Sequence, residues 1–415
     1  LSSKNNLKRV ANNSFYLFLI QGVNYVFPLL LLVYLIKVLG KDGFGIYSFL
    51  LTLVIYIQTI LDYGFLLTGS RDVAKNITNK NKLNEIFWSI TFAKIFISII
   101  VFILLSFFSL FFYKKIDYYL FVYLFLLAFF NSITPVWFLH GIEKFKLVAV
   151  FNAISKAAAF LLIVLTVFDA SDIDKIFLSN IIPSFFVSLV VFIYLYRSNV
   201  VDRMQIDFSL IVFQVRSGWH IFTTSFLSSV LSSGSVFWLG LVSSPTVVGS
   251  YAIVESVVKV VSSLFQPLTR ALYPVAVNEF SLGPTDGFKC VFYFGRWIAL
   301  MALIAAIFVA LLTPFAVFKL NGEEVAYSLV YLLSIWMFFG VLNNILGVQV
   351  LTAIGEVKKY SYAFYVSAAV FVSLLVSLVY FYNEKGAAVA LLFSEFVLSI
   401  ILSCLVFRVY KKSIS

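Results

Sequence analysis

The sequence predicts an all-α integral membrane protein of about twelve transmembrane helices, arranged in two six-helix lobes related by a pseudo-two-fold axis along the membrane normal. Three observations predict it. Apolar residues fill 62% of the 415 positions and charged residues 12%, with a mean hydropathy of +1.02; soluble domains carry about 45–50% and about 25%. Apolar runs of about 20 residues, enough to cross a hydrocarbon core of about 30 Å, recur along the whole chain. They far exceed the roughly 10-residue strands of a membrane barrel. Finally, Lys and Arg crowd into alternate loops, as the positive-inside rule requires of a helical membrane protein.

The spans follow in order. The first, 14–38, comes after Lys4, Lys8 and Arg9 and contains Gln21, Asn24 and Pro28. It ends in no small-residue cleavage site and reads as a retained helix rather than a signal peptide. The second, 46–68, carries a faint polar stripe of Ser48, Thr52, Tyr56, Thr59 and Asp62. The third, 87–112, contains Lys94, and the fourth is 118–139. The fifth, 147–168, sets Asn152, Ser155 and Lys156 beside three alanines, and the sixth is 176–196. The seventh, 218–242, is rich in small polar residues from Thr223 to Ser235, a composition that also permits close helix packing. The eighth, 247–269, opens a series in which Glu255, Lys259, Ser262, Gln266 and Arg270 step by three or four and fall on one helical face. The ninth, 289–314, holds Arg296; the tenth and eleventh are 327–352 and 361–382; the twelfth, 387–407, holds Glu395.

With the N-terminus placed in the cytoplasm, nineteen of the 30 Lys and Arg residues face that side and seven the other, while Lys94, Lys156, Lys259 and Arg296 lie inside spans. Both termini are then cytoplasmic, and most of the net charge of +11 is topology signal rather than a nucleic-acid footprint. The loops 169–174 and 321–324 are the most acidic parts of the other side. The longest polar connection, about 197–217, is cytoplasmic and separates an N-terminal lobe, 1–210, from a C-terminal lobe, 211–415. Six helices per half give both halves one orientation, so any repeat is parallel. A weak one exists at an offset of 204: Gly45-Ile46-Tyr47 aligns with Gly249-Ser250-Tyr251, and Thr52, Thr59 and Asp62 with Ser256, Ser263 and Gln266.

Motifs of chemistry are missing. There is no G-x-x-x-x-G-K-[ST] for ATP, His140 and His220 form no H-E-x-x-H, and Cys290 and Cys404 suggest no disulfide. Neither an enzyme, a cofactor nor a metal site is expected. What stands out is charge inside the membrane, which costs about 2.5–3.5 kcal/mol per residue at a helix centre on insertion scales. Asp62, Lys94, Lys156, Glu255, Lys259, Arg296 and Glu395 should therefore face a bundle interior or a wet cavity. Two readings stay open. The residues can neutralise one another, Glu255 with Lys259 and Asp62 with Lys94 or Lys156, while Arg296 and Lys94 snorkel to the surface. Alternatively Lys94, Lys156, Lys259, Arg270 and Arg296 bind an anionic group from the inner leaflet, with Asp62, Glu255 and Glu395 balancing charge or coupling an ion. Four cations against three acids leave an excess that pairing cannot absorb.

Three segments carry a family resemblance: Gly40-Lys41-Asp42-Gly43-Phe44-Gly45-Ile46-Tyr47-Ser48-Phe49, Asp62-Tyr63-Gly64-Phe65, and Pro135-Val136-Trp137-Phe138-Leu139-His140-Gly141-Ile142-Glu143-Lys144-Phe145-Lys146. They resemble the Wzx O-antigen flippases, in the polysaccharide transporter group of the multidrug/oligosaccharidyl-lipid/polysaccharide exporter superfamily. His140 stands where that family pattern has Gln. The resemblance implies a bacterial inner-membrane flippase that moves an undecaprenyl-diphosphate-linked oligosaccharide to the outer leaflet by alternating access. It further implies coupling to H+ or Na+ and work beside a polysaccharide polymerase and chain-length regulator, with membrane lipid around it and no nucleic acid. The alternatives are a multidrug or cation antiporter, which wants a more acidic or aromatic cavity, and a membrane polymerase, which wants a large outer loop.

Overall fold

The computed structural model describes residues 2–111, 117–202, 204, 207–321 and 326–414, with side chains for all of these except 2–15, 17, 18, 108, 110, 111, 320, 321 and 412–414. Lys4, Lys8, Arg9, Lys114, Lys115, Arg203, Glu323, Glu324 and Lys412, all used in the topology reading, fall outside the described side chains. The described residues form helices α1 (Ser2–Asp62), α2 (Phe65–Lys75), α3 (Lys80–Phe111), α4 (Tyr118–Ile133), α5 (Val136–Gly141), α6 (Phe145–Thr166), α7 (Ile173–Arg197), α8 (Phe208–Val242), α9 (Pro245–Ser263), α10 (Gln266–Leu282), α11 (Pro284–Asn321), α12 (Tyr327–Asn343) and α13 (Val357–Ile414). A 3₁₀ turn at Ala170–Asp172 leads into α7, and a π-helix at Asn344–Thr352 continues α12.

Ten stretches among the described residues are long and apolar enough to cross a bilayer, and two of them are double. The stretches Leu19–Lys75 and Val357–Lys411 run 57 and 55 residues, about 80 Å or more at 1.5 Å per residue. Helices α1 and α13 each contain one non-helical residue, Gly40 (φ 63°, ψ −172°) in α1 and Asn383 (φ 47°, ψ −128°) in α13. Positive φ suits glycine, and asparagine tolerates it better than most residues. With each double helix counted as two crossings, the total is the twelve that the sequence predicts.

The structure moves several boundaries. Helices α3, α8 and α11 begin before the apolar runs that predict them, at Lys80, Phe208 and Pro284. At α8 the reason is a cap: Asp207 Oδ1 accepts the Ser209 amide at 2.8 Å and its hydroxyl at 2.6 Å. The cap satisfies a donor that helix geometry leaves orphaned, so the helix starts ten residues early and the connection 197–217 shrinks. The fourth span stops at Ile133, because Pro135 disfavours helical torsions at Thr134 and has no N–H to give.

The polar stripe of the eighth span is also corrected. Its helix tightens at Leu264 and Phe265, whose amides bond three residues back to Val261 and Ser262 at 3.1 Å each. Pro267 would otherwise press on the Ser263 carbonyl. Glu255, Lys259 and Ser262 therefore share α9, while Gln266 and Arg270 belong to α10.

Two compact units result. One comprises Leu1–Tyr34 and Leu50–Ser232; the other comprises Leu35–Phe49 and Ser233–Ser415. The first packs around Phe65, Phe87, Ile90, Trp137, Phe138 and Val191. The second packs around Ala276, Phe288, Val291, Ala302, Val350 and Leu402.

Candidate functional site

In the first unit, Asp62 closes the long helix α1 and meets Lys94 of α3. The Lys94 ammonium lies 3.0 Å from Asp62 Oδ1, and it donates to the Ser132 carbonyl at 2.6 Å and the Ser132 hydroxyl at 3.3 Å. Lys94 is only 3% exposed. Its three donors are thus spent on the protein, and its charge is matched. Lys156, half-buried on α6, differs: no acid or hydrogen-bond acceptor among the described residues lies within reach of its ammonium. It is a cation held inside a membrane span without a counter-charge.

In the second unit, Glu255 and Lys259 pair along one turn of α9 at 3.1 Å; the carboxylate is buried, while the lysine side chain is 38% exposed. Arg270 is exposed on α10, with Gln266 Oε1 at 3.5 Å. Arg296 is exposed on α11 and lies over the rings of Tyr293 and Trp297, 4.8 and 5.6 Å from their centroids. Such an arginine is stacked on its own helix face rather than aimed at an acid. Glu395 of α13 pairs with no cation among the described residues. Its carboxylate accepts from the Asn343 amide, whose own oxygen accepts from Ser399 at 2.6 Å. The structure therefore joins Asp62 to Lys94 and Glu255 to Lys259, and leaves Lys156, Arg270, Arg296 and Glu395 each in separate surroundings.

The third family-like segment, Pro135–Lys146, is a packing device. Trp137 and Phe138 are buried at 2% and 0%. A Cβ on Gly69 of α2 would collide with the Trp137 ring, and one on Gly141 with Val73. Ser70 donates to the Trp137 carbonyl at 2.7 Å. Glu143 takes a left-handed torsion (φ 59°), and the Lys144 amide reaches back to the Leu139 carbonyl at 2.8 Å, closing the turn.

Three features escape sequence reading. Asn343, with Ser399, forms the buried polar setting of Glu395, beside the π-helix Asn344–Thr352. π-Helical turns occur disproportionately at functional sites. An apolar groove of about 530 Å³ runs along α9 and α11, lined by Val257, Val261, Met301, Ala305 and Phe308. Val257 and Val261 each sit two residues from Lys259, about 200° away, so α9 turns its charge and the groove to opposite sides. The third feature is a polar cavity in the first unit, between α1, α2, α4, α5, α6 and α7. These sites draw their residues from several helices distant in sequence, and no local motif marks such a set.

The arrangement can hold an anion near Lys156 or Lys259 and an apolar chain along α9. Comparison with known proteins fits this. A protein of Escherichia coli (strain K12) named "Putative O-antigen transporter" is 27% identical over 92% of this chain and 93% of its own length. A Shigella dysenteriae protein of the same name is 25% identical over 92% and 96%. Among solved structures, an inward-facing multidrug resistance MATE family transporter of the MOP superfamily superposes with a TM-score of 0.72 at 13% identity, covering 96% of this chain and 95% of that one. The lipid II flippase MurJ gives 0.69 at 13%, covering 95% and 87%. The fold is thus that of these transporters. The family model described as polysaccharide biosynthesis protein matches residues 10–278, most of the chain, and this multi-pass membrane protein belongs to that family.

Proposed function

We propose that the chain is a flippase that carries an undecaprenyl-diphosphate-linked oligosaccharide from the cytoplasmic to the outer leaflet of the bacterial inner membrane. The observation that carries the reading is Lys156. An unpaired ammonium inside a span is expensive, and a phosphate arriving from the leaflet would supply the missing counter-charge and hydrogen-bond acceptors. The 38%-exposed Lys259 offers a second contact. The groove beside Val257 and Val261 has the chemistry that a polyprenyl tail needs.

In this reading Arg270 and Arg296 meet the anionic headgroup at the cytoplasmic approach, and both termini are cytoplasmic. Asp62 and Glu255 balance Lys94 and Lys259. Glu395, held by Asn343 and without a cation among the described residues, is the acid that couples transport to H+ or Na+. Access alternates between the halves 1–210 and 211–415. The relatives named as O-antigen transporters support this cargo. A drug antiporter would need free acids, and two of the three intramembrane acids are already paired.

The test is protein-dependent movement of labelled undecaprenyl-diphosphate-oligosaccharide across proteoliposomes, with and without an ion gradient. Movement that requires Lys156 supports the flippase. No movement of the native oligosaccharide by correctly oriented protein would sink it.

A further inference from the structure

We infer that the polar cavity of the first unit is a seat for one neutral sugar ring of the cargo, a reading that rests on the proposed flippase function. The cavity measures about 310 Å³. Small-molecule pockets run from roughly 300 to 1,000 Å³, so this one suits a single ring and not a chain. Among the described residues its wall holds no Asp, Glu, Lys or Arg. Its polar groups are the amides of Asn24, Asn131 and Asn152, the hydroxyls of Thr134, Ser155 and Ser184, and the His140 imidazole.

These groups are half-used in a telling way. Asn152 donates to the Asn24 carbonyl at 3.1 Å, which leaves the Asn24 amine and the Asn152 carbonyl open. Ser184 donates to the Asn131 carbonyl at 2.9 Å, which leaves the Asn131 amine open. His140 Nε2 is buried without a partner among the described residues. Ser155 has no hydrogen-bond partner among them either. The open set is a neutral mixture of donors and acceptors.

That mixture selects among ligands. A phosphate or acidic sugar needs cations on the wall. A bare cation is held best by converging oxygens with a carboxylate among them, and the described wall supplies no carboxylate. A sugar ring offers several hydroxyls, each both donor and acceptor, and an apolar face that can lie on Phe151, which also lines the cavity. Lys156, the unpaired cation, follows Ser155 on the same helix. Sugar and diphosphate chemistry thus sit on adjacent residues of α6.

The experiment measures binding, not transport, so it separates from the flippase test. Purified full-length protein in nanodiscs is melted with undecaprenyl diphosphate, or with the same lipid carrying one N-acetylglucosamine, N-acetylgalactosamine or galactose. Bound ligand raises Tm with its affinity. The wild type should be stabilised more by at least one sugar-bearing lipid than by the bare lipid. Ser155→Val, which breaks no existing hydrogen bond, and Asn152→Leu should remove that difference, by at least tenfold in apparent Kd, and leave the bare-lipid shift intact. Equal shifts with every lipid, no shift at all, or a sugar difference that survives in Ser155→Val would each overturn the assignment. A sodium-dependent stabilisation that Ser155→Val abolishes, with no sugar dependence, would give the cavity to a cation instead. Sugar-dependent binding without any transport would keep the seat and refute the flippase.

Discussion

Gly45 and Gly249 meet backbone to backbone: a Cβ on Gly45 would strike the Pro245 carbonyl, and a Cβ on Gly249 would strike the Lys41 carbonyl. The two contacts are related by the sequence offset of 204, since 45 maps to 249 and 41 to 245. The second half of α1 and the start of α9 thus approach each other in a self-matched way, each glycine receiving the other helix's main chain. Backbone cannot yield as a side-chain tip can. Gly45→Val or Gly249→Val should each cost about 3 kcal/mol or more, at or above the upper end of ordinary overpacking. Thermal unfolding in detergent reads this directly, and a Tm unchanged in both variants would show that the helices part without strain.

That contact also shows what the sequence could disclose. The twelve crossings are legible because apolar length is a local property. The offset of 204 is legible because Gly-x-Tyr opens the second helix of each half. The glycines' contact is not, since nothing near Gly45 says which carbonyl faces it. The break after Ser263 was readable in principle from Pro267, yet the regular spacing of Glu255, Lys259, Ser262, Gln266 and Arg270 suggests one stripe. The tightened turn at Leu264 and Phe265 ends it. The charged pairs follow the same divide. Glu255 with Lys259 is four residues apart and visible, whereas Asp62 with Lys94 depends on tertiary packing that also brings in Ser132.

The pairing of Asp62 with Lys94 predicts a coupled pair. Lys94→Met strands the Asp62 carboxylate, and Asp62→Asn strands a buried ammonium. Each single change should destabilise more than the double change does, with a coupling of about 1–3 kcal/mol. A double-mutant cycle on thermal or denaturant unfolding measures it. Strict additivity would mean that the 3.0 Å contact carries no energy.

The cap on α8 predicts a pH dependence outside the membrane. Hydrogen bonds from the Ser209 hydroxyl and amide hold the Asp207 carboxyl below its ordinary value. A folded pKa below the unfolded one gives a contribution that is complete above the unfolded value, about 3.9, and disappears as pH falls through the folded value. At neutral pH, Asp207→Ala should speed hydrogen exchange at Ser209 and Leu210, the amides nearest Asp207 Oδ1. The gap between variant and wild type should close once pH drops below the folded pKa. Asp207→Asn, still a good cap, should show little of this pH response. Equal protection in wild type and Asp207→Ala at neutral pH would count against the cap.

Lys156 predicts opposite movements of stability and activity. Its ammonium has no counter-charge among the described residues, so Lys156→Met removes a desolvated charge and adds an apolar contact. The folded protein should gain stability, by up to about 2.5–3.5 kcal/mol if the site behaves as a helix centre. If the charge is there to meet a diphosphate, the same variant should lose at least tenfold in oligosaccharide translocation, a trade common where function keeps a costly group in place. Lys156→Arg should retain most transport, because it keeps the charge and the donors. Lys94→Met with Asp62→Asn makes the contrast, since that pair is matched internally and its joint removal should leave most translocation in place. Surface polysaccharide in a deletion strain carrying each variant, scored beside protein level and Tm, reads both effects at once. A Lys156→Met protein that is destabilised and still fully active would reassign the lysine to packing and leave Lys259, Arg270 and Arg296 as the cations for the cargo.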